Sequence, residues 1–240
     1  MTDKPPVRRP KATGIDAFLN KVAATPRVAT DRAGNDGVGG RLLFAMDATA
    51  SRQPTWDQAA HIQSEMFVAT SLLGGLDVQL AFFRGFGEFK VSQWTRNAGD
   101  LLRLMSSVSC FAGETQISKV LSHTLNETGR KRVNALVYVG DSMEEDIDAL
   151  GKLAGQLGLL GVPAFMFQEG DDRIADFAFR EIARLSGGAA AQFDAGSAET
   201  LKKLLEAVAV YAAGGHAALH RLAQRQGGAI LKLTHQLKKD

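Results

Sequence analysis

The chain has 240 residues, 45% of them hydrophobic and 22% charged, which is typical of a globular protein with one substantial core. The net charge of +2 gives no strong field toward nucleic acid or an acidic membrane surface. The single cysteine, Cys110, excludes an intrachain disulfide and a CxxC motif. The N-terminus has no apolar signal region, and the longest uncharged apolar run, 158–167, is too short to cross a bilayer. We therefore expect a cytoplasmic protein.

Composition divides the chain into three parts. Residues 1–39 are rich in Pro, Gly and polar residues, which predicts a flexible segment, with a short helix at 15–22 from apolar residues at helical spacing. Residues 40–213 carry the long apolar patterns and form the predicted domain. Residues 214–240 are mildly basic and punctuated by Ala and Gly, which predicts a C-terminal helical tail.

Strand and helix patterns alternate along the predicted domain. Continuous or alternating apolar runs predict six strands, at 42–46, 76–83, 86–94, 133–139, 162–167 and 191–194. Apolar residues at helical spacing predict helices at 54–73, 98–108, 117–125, 143–157, 172–185 and 197–213. This order predicts a doubly wound, mostly parallel six-stranded α/β sheet with helices on both faces and strand 86–94 antiparallel at an edge.

An oxygen-rich cluster follows the first strand. The apolar run 42–46 has the pattern of a strand buried on both faces, and Asp47, Thr49 and Ser51 follow it at every second position. In open α/β sheets, ligands bind at the carboxyl ends of the strands. The cluster therefore marks a candidate binding site.

Two further residues have the same character. Thr115 lies in a Gly-containing loop just before a helix, and Asp141 follows the apolar strand 133–139. Because parallel strands end at the same edge of a sheet, we expect these side chains to join the first cluster. Two carboxylates and three hydroxyls offer only oxygen ligands, which suit Mg²⁺ or Mn²⁺ rather than zinc. Five such ligands leave about one of six octahedral positions open for a carboxylate of a partner.

The three motifs together resemble the metal-ion-dependent adhesion site (MIDAS) of von Willebrand factor A (VWA) domains. The family pattern is Asp-x-Ser-x-Ser, then a Thr in a second loop, then an Asp after a hydrophobic strand. Here these positions hold Asp47-x-Thr49-x-Ser51, Thr115 and Asp141. Thr49 keeps the hydroxyl of the usual Ser, and Asp141 is followed by Ser where the family usually has Gly. The resemblance covers residues 40–213, and the whole chain is similar to stand-alone bacterial members.

The resemblance implies a divalent-metal-dependent protein-interaction module, not an enzyme. It would dock an Asp or Glu of a protein partner at the metal, in an adaptor or assembly role. An alternative is a haloacid dehalogenase-like, Mg²⁺-dependent phosphatase, with Asp47 as the nucleophile and Asp171 and Asp172 as metal ligands. The usual second acid after Asp47 is missing for that alternative. A third interpretation is a metal-free structural adaptor.

Several residues near the motifs invite a functional interpretation. Arg52 and Trp56 follow the first motif, and either one, if exposed, is a candidate contact for a partner. Trp56 is equally compatible with packing at a helix start. The acidic residues Glu144, Glu145 and Asp146 predict a solvated start of helix 143–157.

Overall fold

The computed structural model describes residues 40–54, 76–193 and 206–213. The strands of the sheet are β1 (Arg41–Asp47), β2 (Asp77–Arg84), β3 (Glu88–Val91), β4 (Ala135–Gly140), β5 (Ala164–Glu169) and β6 (Ala189–Phe193). The helices are α1 (Ala98–Ser106), α2 (Ile117–Arg130), α3 (Ile147–Leu159) and α4 (Arg173–Ser186), with a single 3₁₀ turn at Ala50–Arg52. Residues 206–213 are also helical.

The six strands form one sheet in the order β3-β2-β1-β4-β5-β6. Strand β1 pairs in parallel with β2 on one side and β4 on the other, and β3 is antiparallel to β2 at the edge. The predicted fold class is therefore confirmed. The chain moves outward from β1 to β2 and β3 and then returns to β4 on the opposite side of β1. This reversal places a crevice outside the carboxyl ends of β1 and β4, where open α/β sheets bind ligands.

The sheet separates two apolar layers, and β1 contributes to both. Leu42, Phe44 and Met46 point into the layer that contains α1 and residues 206–213. Leu43 and Ala45 point into the layer built from α2, α3 and α4. Because every residue of β1 is buried, this strand appears in the sequence as a continuous apolar run and not as an alternating one.

Two helix boundaries differ from the predicted ones for identifiable reasons. Helix α2 continues to Arg130, beyond the predicted end at 125, because the buried Glu127 in its last turns accepts hydrogen bonds from Arg41 at 3.1 Å and from Trp94 Nε1 at 2.7 Å. Helix α3 begins at Ile147 and not at 143, because the Asp146 side chain caps it by accepting the Ala149 N–H. Strands β4, β5 and β6 and helix α1 lie within about three residues of their predicted bounds.

Other predictions fall on residues that the structure does not describe. These are the flexible segment 1–39 with its helix at 15–22, helix 54–73 from residue 55 onward, the start of helix 197–213 and the tail 214–240. Across the three described ranges, no helix combines the length and apolarity that a membrane crossing requires.

Two glycines of α3 have opposite surroundings. A Cβ added at Gly158 would overlap the carbonyl oxygen of Leu185 in α4, whereas a Cβ at Gly155 would meet no atom within 4 Å. The backbones of the two helices therefore approach closely at Gly158 and leave space at Gly155, and the contact at Gly158 anchors the helix that follows the Asp141 loop.

We expect the two glycines to respond oppositely to substitution by alanine. Gly155→Ala should raise the free energy of unfolding by about 0.5–1 kcal/mol, because a helix-interior glycine is removed. Gly158→Ala should lower it by about 1–3 kcal/mol, because the new methyl group forces the helices apart. Urea unfolding of both variants measures the effects, and equal changes would contradict the described α3–α4 contact.

Candidate metal centre

The first loop of the site is organised by hydrogen bonds that start at Asp47, the last residue of β1. The Thr49 N–H donates to Asp47 Oδ1 at 2.7 Å, and the hydroxyls of Thr49 and Ser51 lie 3.1 Å apart. Asp47 and Thr49 are buried, whereas Ser51 is exposed to solvent. The oxygen-bearing side chains of this motif therefore lead from the end of β1 to the surface.

The second loop, between α1 and α2, is held against the first by its backbone. The Phe111 N–H donates to the Ala48 carbonyl oxygen at 3.1 Å, which pairs Phe111 with Thr49 in a parallel bridge. Thr115 lies four residues further along this loop and is buried. Backbone pairing thus brings Thr115 to the same edge as the first motif.

The third loop follows β4 and carries Asp141. The charge of Asp141 contributes to raising the pKa of Asp47, which places the two carboxylates within electrostatic range of each other. Three residues later, the Glu144 N–H donates to Thr115 Oγ1 at 3.1 Å, and the Thr115 N–H donates to Glu144 Oε2 at 3.1 Å. The second and third loops are therefore joined by a reciprocal pair of hydrogen bonds.

The prediction that Glu144, Glu145 and Asp146 form a solvated helix start is correct for Asp146, the exposed N-cap residue of α3, and wrong for the two glutamates, which precede the helix and bond to the Thr115 loop. The Glu145 carboxylate accepts the N–H groups of Ile117 and Ser118, the second at 2.9 Å. It thereby caps α2, whose own N-cap residue Gln116 makes no side-chain capping bond. A carboxylate at this position satisfies free amides and complements the helix dipole, so the acidic pair holds the Thr115 loop instead of opening α3.

Arg52 is not available as a contact for a partner, because its side chain is buried beneath the site. Its Nε donates to Glu169 Oε2 at 3.0 Å, and its Nη1 donates to the carbonyl oxygen of Asp47 at 2.7 Å. Arg52 therefore connects the carboxyl ends of β1 and β5. No sequence pattern pairs it with Glu169, which lies 117 positions away. Trp56 lies outside the described residues.

The electrostatics of the site centre on the buried carboxyl of Asp47. Burial is the main reason that the pKa of Asp47 rises from 3.8 to about 6, and the charge of Asp141 raises this pKa further. Hydrogen bonding with Thr49 and the charge of Arg52 lower the pKa but do not offset the effect of burial. Asp47 Oδ2 has no hydrogen-bond partner in the described part of the chain. A buried acceptor in this state is unfavourable unless it gains a ligand.

The donor set fits a hard divalent cation. The predicted ligands Asp47, Thr49, Ser51, Thr115 and Asp141 lie in three mutually bonded loops, and all five offer oxygen. Within the described ranges, no three His, Cys, Asp or Glu side chains form a group, so the hydroxyls are needed to complete a ligand set. That these five residues bind a metal stays a prediction.

Cys110 lies next to the site but is not activated as a nucleophile. It is nearly fully buried, and burial raises the pKa of its thiol to about 11. Since the thiolate is the reactive form, this side chain stays protonated and inert at neutral pH.

Comparison with known proteins gives a fold and no closer relationship. No family model matches the chain, and no curated protein matches it. Among solved structures, the SpRpn10 VWA domain is 16% identical with a TM-score of 0.53, covering 69% of this chain and 93% of that one. An aerotolerance-related membrane protein from Bacteroides fragilis, with multiple mutations to serines, is 16% identical with a TM-score of 0.55, covering 70% and 98%.

A third similar structure contains a metal. Proximal thread matrix protein 1 from the mussel byssus, described with a zinc-occupied MIDAS motif, is 12% identical with a TM-score of 0.57. The match covers 72% of this chain and 46% of that protein. These likenesses show that the chain has the VWA-type fold that the sequence motifs suggested.

We expect Asp47→Asn to stabilise the metal-free protein at neutral pH. Because the folded-state pKa of about 6 lies above the ordinary 3.8, the folded protein binds more protons between these values and loses stability as pH rises through them. Removing the buried charge should raise the free energy of unfolding by about 2–3 kcal/mol at about pH 7.5, and by little at about pH 4. Urea unfolding in EDTA at both pH values measures this.

Asp148→Asn is the control for that experiment, since it removes an acid from the first turn of α3, where it is exposed. A stabilisation by Asp47→Asn that is equally large at both pH values would contradict the raised pKa of Asp47.

Proposed function

We propose that this chain is a divalent-metal-dependent protein-interaction module that binds an acidic residue of a protein partner. Mg²⁺ or Mn²⁺ would be held by Asp47, Thr49, Ser51, Thr115 and Asp141. The observation that carries the proposal is the buried Asp47 carboxylate, whose Oδ2 has no partner among the described residues, in a loop where Thr49 bonds to its Oδ1 and to the Ser51 hydroxyl. When bound, the cation supplies an electrophilic position for an external carboxylate.

The charges of the site favour an acidic ligand. Only Asp47 and Asp141 among the five proposed ligands are anionic, so they neutralise a divalent cation without giving the centre excess negative charge. The hydroxyls of Thr49, Ser51 and Thr115 add oxygen ligands and no charge. Because Ser51 is exposed, a partner approaches the centre from that side. The zinc-occupied MIDAS of the similar byssus protein supports a metal at this edge of the fold.

Two observations favour binding over phosphoryl transfer. A nucleophilic Asp47 must contact its substrate, but its side chain has no exposed surface. Asp172, a metal ligand in the phosphatase alternative, instead accepts the N–H groups of Ile174 and Ala175 at 2.7 and 2.8 Å as the cap of α4. We therefore propose a non-enzymatic adaptor or assembly role, in the cytoplasm of a bacterium.

Calorimetric titration with Mg²⁺ and Mn²⁺ tests the metal site. We expect one ion per chain for the wild type, and no detectable binding for Asp47→Asn or Asp141→Asn, because each variant removes one of the two anionic ligands. Asp148→Asn, which changes the charge equally outside the site, should bind as the wild type does. Undiminished binding by Asp47→Asn would contradict the proposed ligands.

Affinity capture tests the partner class. The immobilised full chain should retain a protein from a bacterial lysate in Mg²⁺, release it in EDTA, and fail to retain it when Asp47 is changed to Asn. When the Asp and Glu residues of the captured protein are changed one at a time to Asn or Gln, one of these substitutions should abolish retention of that protein. Hydrolysis of a generic phosphate ester that depends on Asp47 would contradict the adaptor role and support the phosphatase alternative.

A further inference from the structure

Tyr138, on β4, carries a buried hydroxyl that the core does not require. Its ring packs between Phe83, at a centroid distance of 6.3 Å, and Phe179, at 5.3 Å. The side chain is fully buried, and its Oη has no hydrogen-bond partner among the residues that the structure describes. A phenylalanine would make the same ring contacts without burying a polar atom, so the hydroxyl calls for an explanation.

The hydroxyl of Tyr138 lies beside Asp47. The sheet register pairs Tyr138 with Ala45, and both point into the layer covered by α2, α3 and α4. Two residues further along each strand, Gly140 and Asp47 lie on that same face. A Cβ added at Gly140 would stand 2.5 Å from Tyr138 Oη, so the phenol oxygen fills the space that a side chain at residue 140 would take.

The two groups lie on neighbouring strands at adjacent positions, because Val139 pairs with Met46 and Gly140 and Asp47 follow them. Neighbouring strands lie about 4.8 Å apart, so the Tyr138 hydroxyl and the Asp47 carboxylate are close, yet no direct hydrogen bond joins them. After burial, the charge of Asp47 is the largest cause that raises the pKa of Tyr138, in agreement with this proximity. Buried waters typically bridge polar groups that otherwise lack partners.

We infer that one buried water links Tyr138 Oη to Asp47 Oδ2, and that Tyr138 is a positioning residue for the metal centre. The phenol donates to the water, and the water donates to Oδ2. The Thr49 N–H already fixes Oδ1 at 2.7 Å, so the link fixes the second oxygen and holds the carboxylate in one rotamer. Gly140 is required because a side chain there would displace the phenol oxygen. The positioning role rests on the proposed metal binding, but the link itself does not.

The two tyrosines of the chain allow a matched comparison. Tyr138→Phe removes the hydroxyl beside Asp47, whereas Tyr211→Phe removes a hydroxyl from the layer on the other side of the sheet. Crystal structures of the metal-free wild type and both variants test the link without any metal. We expect a water within hydrogen-bond distance of Asp47 Oδ2 in the wild type and Tyr211→Phe, and none in Tyr138→Phe. Absence of that water from the wild type would overturn the inference.

Mn²⁺ calorimetry tests the positioning role. Tyr138→Phe should weaken Mn²⁺ binding by about tenfold, as loss of an outer-shell partner of a ligand does, and Tyr211→Phe should bind as the wild type does. Unchanged affinity in Tyr138→Phe, together with a higher urea midpoint, would mean that the hydroxyl is merely an unpaired group and would overturn the role.

Tyrosine labelled with ¹³C at Cζ provides a solution readout that a purely structural role does not move. In the Tyr211→Phe variant, the one remaining signal belongs to Tyr138, and we expect Mg²⁺ to shift it. A wild type that binds neither Mg²⁺ nor Mn²⁺ while the water is present would have a distinct meaning: the proposed function and the positioning role would both be wrong, and the link to Asp47 would stand.

Discussion

The candidate site depends on the burial of the Asp47 carboxylate at the end of the central strand, which the rest of the fold tolerates at a cost in stability. A charge removed from water is unfavourable unless polar groups replace the lost hydration. The Thr49 amide replaces part of it, and the nearby Arg52 guanidinium lowers the pKa of the carboxyl, yet burial still raises that pKa to about 6. A divalent cation, as proposed above, would give the Asp47 carboxylate the partner that the described side chains do not supply.

The loops that carry the other oxygens are held by contacts between distant parts of the chain. Glu144 and Thr115 exchange two hydrogen bonds, and Glu145 caps the helix that follows Thr115. Arg52 joins the end of β1 to Glu169 at the end of β5. Because these bonds join the three loops to one another and to the sheet, little reorganisation is expected to oppose binding of a ligand at this edge.

The position of the site follows from the topology of the sheet. Strand β1 lies between β2 and β4, and the strand order reverses across it, so Asp47 and Asp141 follow the carboxyl ends of the strands at the switch point where open α/β sheets bind ligands. The same fold occurs in solved structures that are only 12–16% identical to this chain. Such low identity over the whole chain gives little indication of a shared fold. The short motifs of oxygen-bearing residues at the strand ends are the part of the sequence that indicated the VWA fold.

The sequence by itself determined the features that depend on local patterns of residues, namely the central strand and the position of the candidate site. The continuous apolar run before Asp47 fixed the central strand, because a strand covered on both faces has no polar alternation, and the spacing to Thr49 and Ser51 marked its end as a site. Only the tertiary structure decided that Arg52 is buried, that Glu145 caps α2, and that the Tyr138 hydroxyl lies beside Asp47. The physical reason is that these environments are created by partners far away in the chain, and no local periodicity records such partners.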